Sequence, residues 1–119
     1  MALTFYWYPK CGTCQKAKKW LDEHEIDYTS VHLVEAPPTK EQLLDFISKS
    51  DLPPKKFFNT SGKKYREQNI KDKLHDMSTD EMAELLASDG MLIKRPIVTD
   101  GQNVTVGFKE DTFNKTWLS

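Results

Sequence analysis

The chain has two cysteines, and both lie in the short stretch W-Y-P-K-C-G-T-C, at Cys11 and Cys14. Cysteines at this spacing are typical of a redox pair, of half a zinc site, or of two small residues packed in a core. A zinc site takes four ligands, commonly two such pairs or one pair with two closely spaced histidines. The three histidines are scattered, at His24, His32 and His75. The spacing therefore favours redox chemistry without a bound metal, with two ordinary buried cysteines as the alternative.

The segment after the cysteines predicts how the two thiols differ. Apolar residues recur there at helical spacing, at Ala17, Trp20 and Leu21, and predict an amphipathic helix of about three turns. Cys11 would lie at the N-terminus of this helix, where free N–H groups and the helix dipole favour a thiolate, and Lys10 adds a positive charge. Cys14 would lie in the first turn, on the face that packs on the sheet. We therefore predict that Cys11 attacks a substrate and that Cys14 resolves the mixed disulfide.

The order of strands and helices predicts an α/β fold. Alternating apolar residues predict strands at residues 3–8 and 28–34, and a D-G turn at 100–101 predicts a hairpin, followed by a last helix at about 110–117. Between them, capping boxes start helices after Thr39 and Ser78, residues 63–73 form one or two short helices, and Gly90 is the expected C-terminal cap. A helix joining two strands favours a parallel pair, whereas a hairpin is antiparallel, so we expect a mixed four-stranded sheet. This is a thioredoxin- or glutaredoxin-like layout, with residues 1–34 and 90–119 as the core and residues 35–89 as a helical insertion.

Composition and charge are those of one globular domain. A chain of 119 residues can bury its own core, and a net charge of -1 argues against a generic nucleic-acid or membrane-surface binder. Positive charge is concentrated between Pro53 and His75, either as a solvated face or as a docking patch for an acidic partner. The N-terminal residues lack the pattern of a secretory signal or a membrane span, which predicts a cytoplasmic protein, and we expect a monomer. Structural disulfides are rare in the cytoplasm, which again favours a redox pair.

Three ordered motifs are more specific than the cysteine spacing alone. They are Y-P-K-C-G-T-C-Q-K-A-K-K-W-L, P-P-T-K-E-Q-L and M-L-I-K-R-P-I-V-T, and together they resemble the arsenate reductase-like family, which includes ArsC and the Spx-type redox regulators. The resemblance covers nearly the whole chain and implies a single ArsC-like, thioredoxin-like domain with a helical insert. It also implies that Cys11 is the redox-active cysteine, and that Arg95 precedes a cis proline, Pro96, which faces the active site.

The resemblance assigns expected roles to the residues around Cys11. Arg95 offers a planar guanidinium to an oxyanion or to the thiolate, and Pro96 leaves its neighbour's backbone free to pair with a substrate. The expected catalytic residues are Cys11, Cys14 and Arg95. The expected substrate-binding residues are Lys10, Gly12, Thr13, Arg95 and Pro96.

The chain departs from both well-known branches of this family. Classical ArsC-type reductases resemble C-G-T-S at the loop and hold the oxyanion with three arginines, whereas this chain has Cys14, and the other two arginine positions fall near Asn59 and Gly107. Spx-type proteins use the disulfide as a switch and bind the C-terminal domain of the RNA polymerase α subunit. In this chain Pro53-Pro54 replaces the glycine expected at the start of their insert.

The two branches lead to two functional hypotheses. The first is a thiol–disulfide oxidoreductase or ArsC-like reductase that needs no cofactor and is recycled by a thiol donor, either glutathione with glutaredoxin or thioredoxin. The alternative is an Spx-like, redox-switched transcription regulator that binds the polymerase α subunit. Neither involves direct contact with nucleic acid or with a membrane. Efficient arsenate reduction is not expected, because two oxyanion donors are missing and each charge-assisted hydrogen bond is worth about 1.5–3 kcal/mol.

Overall fold

The structure is a computed structural model that describes residues 3–118. Its helices and strands are, in chain order, β1 (Leu3–Trp7), α1 (Gly12–Glu23), β2 (Tyr28–His32), α2 (Lys40–Ser50), α3 (Lys63–Glu67), α4 (Ile70–Lys73), α5 (Thr79–Ser88), β3 (Ile97–Thr99), β4 (Val104–Val106) and α6 (Glu110–Trp117). Short 3-10 turns lie at Pro54–Phe57, Leu74–Asp76 and Gly90–Leu92. The strands and helices predicted from the sequence are present, with β2 shorter than expected. Within residues 3–118, no helix is long and apolar enough to cross a membrane.

The four strands form one mixed sheet in the order β2-β1-β3-β4. Strand β1 is parallel to β2, with Leu3 opposite Tyr28, and α1 connects the two strands. Strand β3 is antiparallel to both β1 and β4. Between β3 and β4, Gly101 has φ 96°, a left-handed conformation that suits glycine in a tight turn. The predicted mixed four-stranded sheet is therefore confirmed, and so is the D-G hairpin.

One face of α1 is buried in the core of this sheet. The core side chains packed together here are Leu3, Phe5, Ala17, Trp20, Leu21, Val98 and Phe113. The Trp20 and Phe113 rings meet edge to face, with their centroids 5.1 Å apart. Full burial of a large apolar side chain contributes about 1.5–3 kcal/mol, so these contacts fix α1, and with it the cysteine pair at its N-terminus.

The chain divides into two compact units. The first runs up to His32 and resumes at Arg95, and the second is Leu33–Lys94. In the second unit α2 packs against α5, and the buried side chains of these two helices are Leu43, Phe46, Ile47, Ala83 and Leu86. Both helices start with a complete capping box, from Thr39 and from Ser78, as their sequences predict.

The expected role of Gly90 is wrong. The C-cap residue of α5 is Asp89, which is extended with φ -159°, and Gly90 has no positive φ that would make it a left-handed cap. The Asp89 carboxylate instead accepts a hydrogen bond from the Met91 N–H at 2.9 Å and starts the turn Gly90–Leu92. Glycine is required at position 90 for another reason: a Cβ there would lie 2.2 Å from the backbone oxygen of Leu33. Close backbone approach, not helix capping, selects this glycine.

Candidate active site

Cys11 is the N-cap residue of α1. Its backbone is extended, with φ -95° and ψ 117°, and its sulfur accepts a hydrogen bond from the Cys14 N–H at 3.3 Å. The Cys11 N–H donates to the Tyr8 carbonyl at 3.0 Å, which holds the loop against the end of β1. The sulfur therefore takes the place of the Ser or Asp oxygen that usually caps a helix, where an anion is stabilised by the helix dipole. The predicted placement of both cysteines is confirmed.

The two thiols have different environments. Cys11 is half-buried, whereas Cys14 is fully buried on the core-facing side of α1. Partial burial by itself raises the pKa of Cys11, but the Cys14 thiol, the Cys14 N–H and the Arg95 guanidinium outweigh it, so that the pKa is lowered from its ordinary value. Burial, together with the hydrogen bond that its thiol donates to Cys11, raises the pKa of Cys14 to about 12. The thiolate therefore forms more readily at Cys11 than at Cys14.

The register of the sheet explains why Arg95 reaches Cys11. Tyr6 pairs with Ile97 across the antiparallel strands β1 and β3. Tyr8 comes two residues after Tyr6, and Arg95 comes two residues before Ile97, so both lie at the same end of this strand pair. The Arg95 Cζ lies over the Tyr8 ring, 5.1 Å from its centroid. At this place the guanidinium lowers the pKa of Cys11 through a hydrogen bond and through its charge. The predicted proximity of Arg95 and Cys11 is thus present in the structure.

Part of the Arg95 guanidinium is left without a partner. Its Nε and Nη1 atoms are buried, and neither has a hydrogen-bond partner among residues 3–118. Buried polar groups are nearly always hydrogen-bonded, and an unpaired donor costs about 1–3 kcal/mol. A bound anion would satisfy these two N–H groups, so the arrangement is suited to an acidic or oxyanionic substrate group next to the Cys11 sulfur.

The Arg95-Pro96 peptide bond is cis, as the resemblance implies. The Pro96 carbonyl accepts a hydrogen bond from the Gly107 N–H at 2.8 Å, and Gly107 has φ 81°. Gly107, near which the resemblance places one of the family's other arginines, is thus a buried, left-handed glycine beside Pro96. Asn59 and Pro53-Pro54, the other departures, belong to the second unit.

The loop residues expected to bind substrate are open to solvent. Lys10, Gly12 and Thr13 are exposed, and a Cβ built on Gly12 would meet nothing within 4 Å. Their backbone and side chains are thus free to meet a substrate at the N-terminus of α1, and their roles stay predictions. No group of three or more His, Cys, Asp or Glu that could hold a metal occurs among the described residues.

Sequence reasoning missed Tyr8. Its ring supports the Arg95 guanidinium on one side and meets the His32 ring edge to face on another, with centroids 5.6 Å apart. A cation held over an aromatic face gains about 0.5–2 kcal/mol, so Tyr8 orients the arginine towards the thiol. The one local signal was an aromatic residue three positions before Cys11, at the end of a predicted strand.

Comparisons with known proteins agree on the family. The pattern of the ArsC family matches residues 6–116. The chain is 66% identical over 117 residues to the uncharacterized protein YusI of Bacillus subtilis (strain 168), which covers 98% of this chain and 99% of that protein. It is 32% identical over 106 residues to the regulatory protein MgsR of the same strain, which covers 89% of this chain and 82% of that protein.

A solved structure supports the same assignment. The crystal structure of an ArsC family related protein from Bacteroides fragilis matches with a TM-score of 0.93 and 49% identity, over 97% of each chain. The thioredoxin-like fold class expected from the motifs is thereby confirmed. Because the family pattern covers nearly the whole chain, including the cysteine pair and Arg95-Pro96, the protein belongs to the ArsC family.

Proposed function

We propose that the protein is a cytoplasmic thiol–disulfide oxidoreductase or ArsC-like reductase in which Cys11 is the nucleophile and Cys14 the resolving thiol. The observation that carries the proposal is the opposite setting of two neighbouring thiols. The pKa of the half-exposed Cys11 is lowered at a helix cap beside Arg95, whereas burial and Cys11 raise the pKa of Cys14 to about 12. Two cysteines that merely fill a core would need neither the cap position nor the neighbouring arginine.

The reaction consistent with this site is a two-electron reduction of a disulfide. The Cys11 thiolate attacks one substrate sulfur, a new S–S bond forms, and the other substrate sulfur leaves as a thiolate. Cys14 then loses its proton and attacks the Cys11 sulfur, which releases the second substrate sulfur and forms the Cys11–Cys14 disulfide. An external thiol donor, such as glutathione with glutaredoxin or thioredoxin, returns the pair to the dithiol form.

The first step itself prepares Cys14 for the second. After burial, two of the causes that raise the pKa of Cys14 come from Cys11: the hydrogen bond donated to its sulfur and the repulsion between the two sulfurs. Both are weakened when the Cys11 sulfur carries a substrate and no longer a negative charge. The Cys14 thiol therefore becomes easier to deprotonate at the stage where it has to act.

Arg95 determines which substrates suit the site. Its two buried, unpaired N–H groups favour a substrate with a carboxylate or an oxyanion near the scissile bond. Glutathione adducts carry such carboxylates. Arsenate is a poorer match, because this chain has no arginine near Asn59 or Gly107, the two places where the resemblance to classical reductases would put one; the arginine nearest in sequence to either of them is Arg66.

The test is a trap in cells. In the Cys14→Ser variant a mixed disulfide on Cys11 has no resolving thiol, so it should accumulate and be identifiable by mass spectrometry of the purified protein. The control is Cys11→Ser, in which the buried Cys14 should carry no adduct. Glutathione or a set of protein thiols on Cys11 is the expected result. A Cys11 that stays unmodified while cells are exposed to a disulfide-forming oxidant would overturn the proposal.

A second candidate, a redox-switched regulator, is supported by the similarity to the regulatory protein MgsR. In this reading the Cys11–Cys14 disulfide changes the affinity for a protein partner, with the RNA polymerase α subunit as the partner implied by the Spx-type branch. The same trap separates the two functions. Polymerase subunits that co-purify without a covalent link, while Cys11 carries no adduct, would favour the regulator. With the wild-type protein, this co-purification should respond to oxidant.

A further inference from the structure

The second unit contains a cavity that the thiol chemistry does not use. Its volume is about 320 Å³, and it is lined by Lys55, Lys56, Thr60, Tyr65, Lys71, Leu74, His75 and Met82. This volume is within the range of small-molecule sites, which begins at about 300 Å³. All of these residues belong to Leu33–Lys94. The cavity is therefore a feature of this unit alone.

The three lysines of the cavity carry uncompensated charge. Lys63 and Lys64, in the same basic segment, are paired with Glu67 and Asp89. By contrast, Lys55, Lys56 and Lys71 form no ion pair within residues 3–118, and the described lining contains no Asp or Glu. Positive charges that face one recess without counter-charges attract an anion into it.

The floor of the cavity is apolar. Tyr65 is buried, at 9% exposure, and Leu74 and Met82 are half-buried. Thr60 and His75 add polar side chains to the lining. An inorganic anion would use the lysines but leave this floor in contact with water, whereas a neutral apolar molecule would leave the lysines unpaired. The lining fits a ligand that has both an anionic group and an apolar body.

We propose that this cavity binds a small organic anion, with a phosphate or carboxylate held by the lysines and an aromatic or alkyl body resting on Tyr65, Leu74 and Met82. A concave site with a buried floor favours a small molecule over an extended acidic peptide, which needs a groove open at both ends. The proposal is independent of the chemistry at Cys11.

The experiment is isothermal titration calorimetry of the full chain with 1-naphthyl phosphate. We expect a dissociation constant of about 1 mM or lower, which is typical for a ligand of this size. Inorganic phosphate and 1-naphthol, which each supply one half of the ligand, should both bind at least about tenfold more weakly. Equal binding of either half, or no detectable binding of the ester at 1 mM, overturns the proposal.

Matched variants locate the site. The double variant K55Q/K71Q should weaken binding of the ester about tenfold, because two exposed and salt-screened charge contacts, each worth about threefold, are lost. The double variant K63Q/K73Q removes the same charge from the same basic segment but outside the cavity, and it should change the affinity by less than about twofold, since exposed charges are screened by salt. Met82→Gln should weaken binding about fivefold, because it puts a polar side chain where the apolar part of the ligand would lie.

These variants also separate a cavity from a simple basic surface. If hexaglutamate binds as tightly as the naphthyl ester and Met82→Gln has no effect, the segment is a docking surface for acidic peptides and the proposal is wrong. Equal losses in K55Q/K71Q and K63Q/K73Q would lead to the same conclusion. Since the four lysines are exposed, the two lysine variants should fold; circular dichroism checks this, and it also checks Met82→Gln, whose side chain is half-buried.

Discussion

Replacing Arg95 by Gln should reduce the thiolate fraction of Cys11. Arg95 contributes to the lowered pKa of Cys11 both by a hydrogen bond and by its charge. A hydrogen bond to a charged group is worth about 1.5–3 kcal/mol, and we take the lower value because solvent screens a half-exposed thiol. About 1.5 kcal/mol corresponds to roughly a tenfold change in the ratio of thiolate to thiol. The pKa of Cys11 in Arg95→Gln should therefore rise, and its reactivity near neutral pH should fall by up to about tenfold.

The assay is the pH dependence of alkylation by iodoacetamide, followed by mass spectrometry of the peptide that carries Cys11. Cys14 should not interfere below pH 9, because burial and Cys11 raise its pKa to about 12. The control is Lys19→Gln, which removes the same charge from an exposed position about 12 Å further along α1. An Arg95→Gln profile that coincides with that of the unmodified protein, or a similar change in Lys19→Gln, would refute the role given to Arg95.

Three further predictions address the supports of the site and of the fold. Tyr8→Leu removes the ring under the Arg95 guanidinium, and since an exposed cation–π contact is worth about 0.5–1 kcal/mol, the same alkylation assay should show a two- to fivefold loss that Tyr8→Phe largely restores. Because burial and Cys11 raise the pKa of Cys14 from 9.0 to about 12, the folded state keeps a proton that the unfolded chain releases. Stability should thus fall from about pH 9 upwards, by at most about 1.4 kcal/mol per pH unit, and urea unfolding should show a smaller alkaline loss in Cys14→Ala. Gly90→Ala places a Cβ 2.2 Å from a backbone oxygen and should cost about 3 kcal/mol or more, whereas Gly12→Ala, which meets nothing within 4 Å, should leave the urea midpoint unchanged or raised.

The parts of the fold that were predictable from sequence are those with local causes. The capping boxes at Thr39 and Ser78 satisfy helix N–H groups through residues three positions away, so four consecutive residues are enough to predict each of them. The hairpin depends on Asp100-Gly101, where glycine adopts the positive φ of the turn. Cys11 at the start of α1 was also predictable, because the apolar spacing after it fixes where the helix begins.

The parts that could not be predicted depend on approaches between distant segments. Gly90 reads as a helix cap in the sequence, and only the folded chain shows the Leu33 carbonyl against its Cα. The position of Arg95 over Tyr8 results from the pairing of β1 with β3, a register that no local pattern encodes. Arg95 was found through family resemblance, whereas Tyr8, although it is the first residue of the first quoted motif, was given no role.

The three-residue spacing of the cysteines has a physical reason at the N-terminus of α1. Because Cys11 is the N-cap, Cys14 is the third helical residue, and its N–H is one of the groups that have no partner within the helix. That N–H reaches the Cys11 sulfur at 3.3 Å, so the residue that we propose as the resolving thiol would also stabilise the Cys11 thiolate. A cysteine one position later could not do both, since the Gln15 N–H already donates to the Cys11 carbonyl at 3.1 Å. The helix geometry therefore couples the two thiols and makes them unequal at the same time.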